Sequence, residues 1–127
     1  IVAYKTSTRQ SIKLVLDTVR LAMEKEKVTA ELQLHSDQGF QYASQSYFTL
    51  TTQYGITPSM SRRANPYDNA MAENFFSILK SECIRLYKPE TIHDAQTLID
   101  EYIAFYNHDR IQLNSKLSPI EKRRLFA

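Results

Sequence analysis

At 127 residues with 43% hydrophobic side chains, the chain suits one domain, or part of one, with a single core. A net charge of +2 and a pI of about 8.7 make it mildly basic, compatible with a nucleic-acid partner without pointing to one. The lone Cys83 excludes a disulfide within the chain and suits a reducing cytoplasm, and no apolar run reaches the roughly 18 residues of a membrane span. The balance of charge is uneven: residues 1–64 carry 8 Lys and Arg against 5 Asp and Glu, and residues 65–127 carry 8 against 9. A start at Ile1 rather than Met suggests that a segment upstream has been lost.

Ile1-Val2-Ala3-Tyr4 is β-prone and reads as the end of a strand. Ser7 or Thr8 can cap the helix that follows, and Ser7 with Gln10 has capping-box spacing. Ile12, Val15, Leu16, Val19, Ala22 and Met23 then make a helical stripe ending near Lys27, a scaffold element with Asp17, Glu24 and Glu26 in solvent. Leu32 to His35 reads as a short buried strand running into Asp37 and broken at Gly39. Ser44 to Tyr54 reads as a helix with Tyr47, Leu50 and Tyr54 inward and Gly55 as its stop. Ile56 to Ser59 is a second brief strand, placed at an edge by Pro58.

Ser61-Arg62-Arg63-Ala64 is a polar loop with two adjacent cations, which on binding DNA would release counterions. The stretch Asn65 to Lys80 is the centre of the chain. It opens on an Asn-Pro turn, offers Asp68 as a helix cap and gathers Met71, Ala72, Phe75, Ile78, Leu79 and, further on, Leu86 on one side. Asn69, Glu73 and Lys80 fall on another stripe, on which Asn69 and Lys80 read as a solvated face or as phosphate contacts. Glu82 leans toward the apolar arc as a partner for Arg85, and Lys88-Pro89 closes the helix. Thr91 to Asp94 begins a last long helix with Ala95, Leu98, Ile99, Tyr102 and Phe105 or Tyr106 inward. Beyond residue 110 the chain becomes a polar arm, 111–127, whose Lys122-Arg123-Arg124 reads as a basic contact or a solvated run.

Alternation of strands and helices argues for an α/β fold with parallel pairing. An Asp at the carboxyl end of a strand, followed by a glycine turn, sits where such folds place ligands, although Asp before Gly is also ordinary turn chemistry. Asp37 and Glu73, with 35 residues between them, would offer hard oxygen donors from two rigid elements, which suits Mg²⁺. Zinc is poorly supported, because the three His residues are scattered and Cys83 has no thiol partner. His35 reads as a packed strand-end residue, or as one that orients Asp37 or touches a phosphate.

His35-Ser36-Asp37-Gln38-Gly39 with Tyr42, Pro66-Tyr67-Asp68-Asn69-Ala70 with Glu73 and Lys80, Tyr106-Asn107-His108-Asp109-Arg110, and Leu117-Ser118-Pro119 together resemble the integrase-core (DDE) transposases of bacterial insertion sequences. The resemblance covers nearly the whole chain. It implies a partial ribonuclease-H-like fold over residues 1–110, lacking most of its leading antiparallel strands. It also implies Mg²⁺-dependent DNA cleavage and strand transfer, with Mn²⁺ as a substitute and two ions in the complete site. Asp37 and Glu73 would then be catalytic metal ligands, and Arg62, Arg63, Asn69 and Lys80 DNA contacts. The intact protein would self-associate on insertion-sequence ends and target DNA in the bacterial cytoplasm.

Two departures qualify this. The family's first catalytic Asp comes from a strand upstream of the segment resembling Ile1 to Tyr4, and Asp17, on the scaffold helix, does not replace it. Gln112 stands where many relatives carry His. The chain alone is therefore expected to be inactive or nearly so. A non-catalytic DNA-binding or assembly module is the competing reading, and an RNA-cleaving nuclease with the same metal site ranks third.

Overall fold

The structure, a computed structural model, describes residues 1–28, 30–62 and 66–126. In order they form α1 (Ile12–Lys25), β1 (Leu32–Ser36), a 3-10 turn (Phe40–Ala43), α2 (Gln45–Gln53), β2 (Ile56–Met60), a second 3-10 turn (Pro66–Asn69) and α3 (Ala70–Leu79). A π-helical turn (Lys80–Ile84) runs on into α4 (Arg85–Tyr87), followed by α5 (Ile92–His108) and α6 (Pro119–Phe126). Two compact units are present, one of Val2–Glu73 and one of Asn74–Ala127 with Ile1.

In the first unit β1 and β2 pair in parallel, with Leu32 opposite Ile56 and Ser36 opposite Met60, as the alternating pattern predicted. Pro58 faces Leu34 on a strand that, among the described residues, has one open edge, as its proline suggests. The Ser61 N–H extends the ladder to the Ser36 carbonyl at 2.7 Å. Helix α1 is capped by Ser11, whose Oγ accepts the Leu14 N–H, and not by Ser7, whose Oγ accepts the Arg9 N–H in a local turn. Asp17 does not stand free in solvent but pairs with Lys13 and Arg20, one turn away on either side. Ser44 caps α2, and Gly55 adopts φ +68° just past its end, the left-handed conformation that favours glycine. Tyr47, Leu50, Thr51 and Ile56 form the core, whereas Tyr54 is partly exposed. Ile1 to Tyr4, expected as a strand end, has no regular structure: a strand is defined by its ladder, and among the described residues these four join no ladder.

Tyr47 is 0% exposed, and among the described residues its hydroxyl has no hydrogen-bond partner. Burying an unpaired hydroxyl is costly, so Tyr47→Phe is expected to stabilise the chain by about 1 kcal/mol. Thermal denaturation would register this as a rise of about 3–5 °C. A fall would mean that the hydroxyl has found a partner.

In the second unit Thr91 caps α5 through the Asp94 N–H, as its sequence indicates. Tyr102 and Ile103 are buried on it, with Cys83 from the π-turn and Ser118 from the start of α6 also enclosed. Phe75 meets Tyr106 edge to face, with ring centroids 5.1 Å apart, so Tyr106 turns inward and Phe105 outward. Part of the polar arm is helical, as α6. Lys116, at φ +59°, turns the chain into α6, which packs on α5. Ser118 and Glu121 form a reciprocal capping box, with the Ser118 N–H donating to Glu121 at 2.8 Å, and Pro119 fills the first helical position.

The apolar stripe expected along α3 is only partly used. Phe75, Ile78 and Leu79 are half-buried, whereas Met71 is 90% exposed and Leu86 is 66% exposed. The π-turn explains Leu86. One extra residue in the turn rotates everything after it by about 100°, which brings Cys83 inward and carries Leu86 out.

Candidate catalytic site

Strand β1 delivers Asp37 one residue past its carboxyl end, exposed to solvent. The carboxylate folds back so that Oδ1 accepts the Gly39 N–H at 2.7 Å; among the described residues Oδ2 accepts no hydrogen bond. Gly39 leaves room for this close approach: a Cβ there would lie 2.9 Å from Asp37 Oδ1 and 2.7 Å from Gln41 Oε1, so the two side chains would have to shift. The Gly39 carbonyl then accepts the Tyr42 N–H and starts the 3-10 turn. Burial pushes the Tyr42 phenol above its ordinary pKa, and the charge of Asp37 raises it further.

Glu73 lies in the first turn of α3, exposed, with no hydrogen bond to its carboxylate among the described residues. Asn69 ends the 3-10 turn ahead of α3, and Lys80 opens the π-turn with its side chain exposed. Arg63 lies outside the described residues.

Arg62 and Asp68 depart from their expected tasks. The Arg62 backbone N–H and Nε–H both donate to Asp68 Oδ2, at 2.7 and 2.8 Å, while Nη2–H donates to Oδ1 at 2.9 Å. These bonds hold the Asp68 carboxyl at a pKa of about 2, the side-chain bond from Arg62 being the largest cause. Asp68 therefore serves the guanidinium and is not a simple helix cap. His35 makes its hydrogen bonds away from Asp37. Its Nδ1 lies 3.0 Å from Ser59 Oγ, and its Nε2 lies 2.9 Å from both Ser61 Oγ and the Asp68 carbonyl. A carbonyl only accepts, so Nε2 carries the proton in that contact.

The donor chemistry of Asp37 and Glu73 fits a hard divalent cation, since both offer unclaimed carboxylate oxygens. The set is small: among the described residues no three His, Cys, Asp or Glu side chains are grouped to hold a metal.

Glu82, expected beside Arg85, pairs elsewhere in the structure. Arg110 Nη2–H donates to Glu82 Oε2 at 2.6 Å and Nε–H to Oε1 at 2.9 Å, while the Tyr102 hydroxyl donates to Oε1 at 3.0 Å. Nothing local announces a partner 28 positions away.

Two sequence profiles described as integrase core domain match the chain, one over residues 1–66 and the other over residues 73–124. The chain belongs to the integrase core domain family. InsK of insertion sequence element IS150 from Escherichia coli is 40% identical over 97% of the chain. The transposase for insertion sequence element IS904 from Lactococcus lactis is 43% identical over 87% of it. This integrase core chain spans 44% of the length of each of these relatives. Among solved structures, the catalytic core domain of BIV integrase aligns with a TM-score of 0.69 at 20% identity, covering 97% of this chain and 80% of that one. A chain of the simian T-cell lymphotropic virus intasome, solved in complex with PP2A regulatory subunit B56 gamma, aligns with a TM-score of 0.74 at 18% identity, covering 88% and 40%. The fold is thus that of the integrase catalytic cores, the ribonuclease-H-like α/β class the resemblance implied. No helix among the described residues is long and apolar enough to cross a membrane.

Proposed function

We propose that this chain is the part of an insertion-sequence transposase core that carries two of its catalytic carboxylates, Asp37 and Glu73, and that the whole protein cleaves and joins DNA strands. The observation carrying this reading is the Asp37 carboxylate, tied through one oxygen to Gly39 at the end of β1 and open at the other, in a chain of the integrase core family. Asp37 and Glu73 would hold Mg²⁺, probed as Mn²⁺. When bound, such an ion activates the attacking oxygen and stabilises the leaving one. Asn69, Lys80 and Arg63 would meet the DNA backbone. Arg62 would do so only by sharing its guanidinium with Asp68. Residues 1–110 would form the core and 111–127 its arm, working in the cytoplasm in association with further copies.

Two carboxylates fall one short of the three the resemblance implies, so the 127 residues alone are expected to show no strand transfer. The test compares the chain with the full polypeptide its gene encodes, on DNA carrying insertion-sequence ends and with Mg²⁺ or Mn²⁺. The full protein should transfer strands only with metal, and Glu73→Gln should lower its rate at least about 10³-fold, roughly 4 kcal/mol of barrier. Undiminished transfer by Glu73→Gln would end the assignment. DNA binding that is salt-dependent, indifferent to Mg²⁺ and unchanged by Asp37→Asn would favour the non-catalytic module instead.

A further inference from the structure

We propose that His35, Asp68 and Arg62 are positioning residues, a brace that fixes the turn leading to Glu73 against the strand end that presents Asp37. The proposal rests on the reading of Asp37 and Glu73 as metal ligands. Its observations lie wholly within the unit of Val2–Glu73.

His35 stands in β1 two residues before Asp37 and directly opposite Ser59 in the parallel register. One ring nitrogen reaches Ser59 on β2. The other reaches Ser61 and, beyond the sheet, the backbone carbonyl of Asp68 in the turn Pro66–Asn69. Ser61 is itself buried and fixed from three sides: its N–H donates to Ser36, its carbonyl accepts from Gln38 Nε2 and its hydroxyl meets His35. The same Asp68 whose carbonyl faces His35 gives both carboxylate oxygens to Arg62. The turn is therefore gripped at one residue through its main chain and its side chain, five positions before Glu73.

Such a grip answers a geometric need. Two carboxylates sharing a metal must be held to about 0.5 Å, and residues with 35 others between them achieve this only through contacts between the elements that carry them. An imidazole suits the task. It is rigid, and its two nitrogens point in divergent directions, so one ring spans β2 and the turn together. Arg62 fits the same scheme, since its planar fork is satisfied by the Asp68 carboxylate.

The test uses the full polypeptide and two readouts, amide hydrogen exchange over residues 67–73 and Mn²⁺ affinity. His35→Ala should speed exchange there about tenfold, leave α1 unchanged and weaken Mn²⁺ binding about tenfold, within the range typical of groups that orient metal ligands. His35→Gln keeps an N–H that can reach the Asp68 carbonyl and should restore both. Unchanged exchange in 67–73, or an equal rise in α1, overturns the brace. Faster exchange with full Mn²⁺ affinity leaves only a structural clasp and overturns the positioning role. If Asp37→Asn binds Mn²⁺ as tightly as the unmodified protein, the metal-site reading falls separately, and the exchange pattern still decides whether the brace exists.

Discussion

Asp37→Asn is expected to lower metal-dependent strand transfer by the full polypeptide at least about 10³-fold while leaving its melting temperature within a degree or two. The two expectations come from different atoms of one side chain. Oδ1 accepts the Gly39 N–H, and the amide oxygen of Asn accepts that bond equally well, so the turn behind β1 survives. Oδ2, which has no partner among the described residues, is the atom left for a cation, and Asn puts a neutral, donating NH₂ in its place. The substitution therefore removes charge without removing geometry. Asp37→Ala would be less informative, because it deletes the turn bond along with the charge. Circular dichroism melting, Mn²⁺ titration and strand-transfer rates measured together check the prediction. A variant that keeps more than a tenth of the activity would show that Asp37 is turn chemistry alone.

The local features of the fold were legible in the sequence. The apolar stripe of α1, the Thr91 cap of α5, the Gly55 stop of α2 and the parallel pair β1–β2 each follow from periodicity or turn chemistry within a few residues. The Ser118-Pro-Ile-Glu121 capping box was equally local; its spacing is sufficient to read α6 within the polar arm. What could not be read depends on contacts between distant segments. A π-turn breaks the 3.6-residue period without any residue that marks it, so the stripe through Leu86 was projected one residue out of phase. Ion pairs are as opaque: Arg62 reads as a free cation until the chain folds Asp68 onto it. At the candidate site, Asp37 and Glu73 were singled out by the family resemblance, since a helical Glu and an Asp before Gly are each ordinary by themselves. The grip on Asp68 by His35 did not stand out, because its acceptor is a main-chain carbonyl.

Glu82→Ala should destabilise the second unit by about 1–2 kcal/mol, less than a fully buried charge-assisted pair because both side chains keep some contact with water. The loss has two parts. Arg110 forfeits a bidentate partner, and the Tyr102 hydroxyl forfeits its acceptor in a largely buried place. A double-mutant cycle with Arg110→Ala should recover part of the cost, since removing both partners leaves no orphaned guanidinium. The pH dependence gives an independent check. The hydrogen bond from Arg110 holds the Glu82 carboxyl below its ordinary value of 4.5. Its contribution is thus complete above pH 4.5 and lost as pH falls through the lowered folded value. Asp17, Asp68 and Glu121 are depressed too, so the acid limb of the unmodified chain is shared among them. The difference between the unmodified chain and Glu82→Gln isolates one group: it should be constant near neutrality and shrink below pH 4.5. Tyr102 supplies the opposite limb. Burial first, and then Glu82, push its phenol up to about 12, so its stabilisation is present below pH 10 and lost as pH rises toward 12. In Glu82→Ala the burial remains and the carboxylate does not, so spectroscopic titration should find the phenol lowered only part of the way to 10. An unshifted phenol would mean that Glu82 and Tyr102 do not meet in solution.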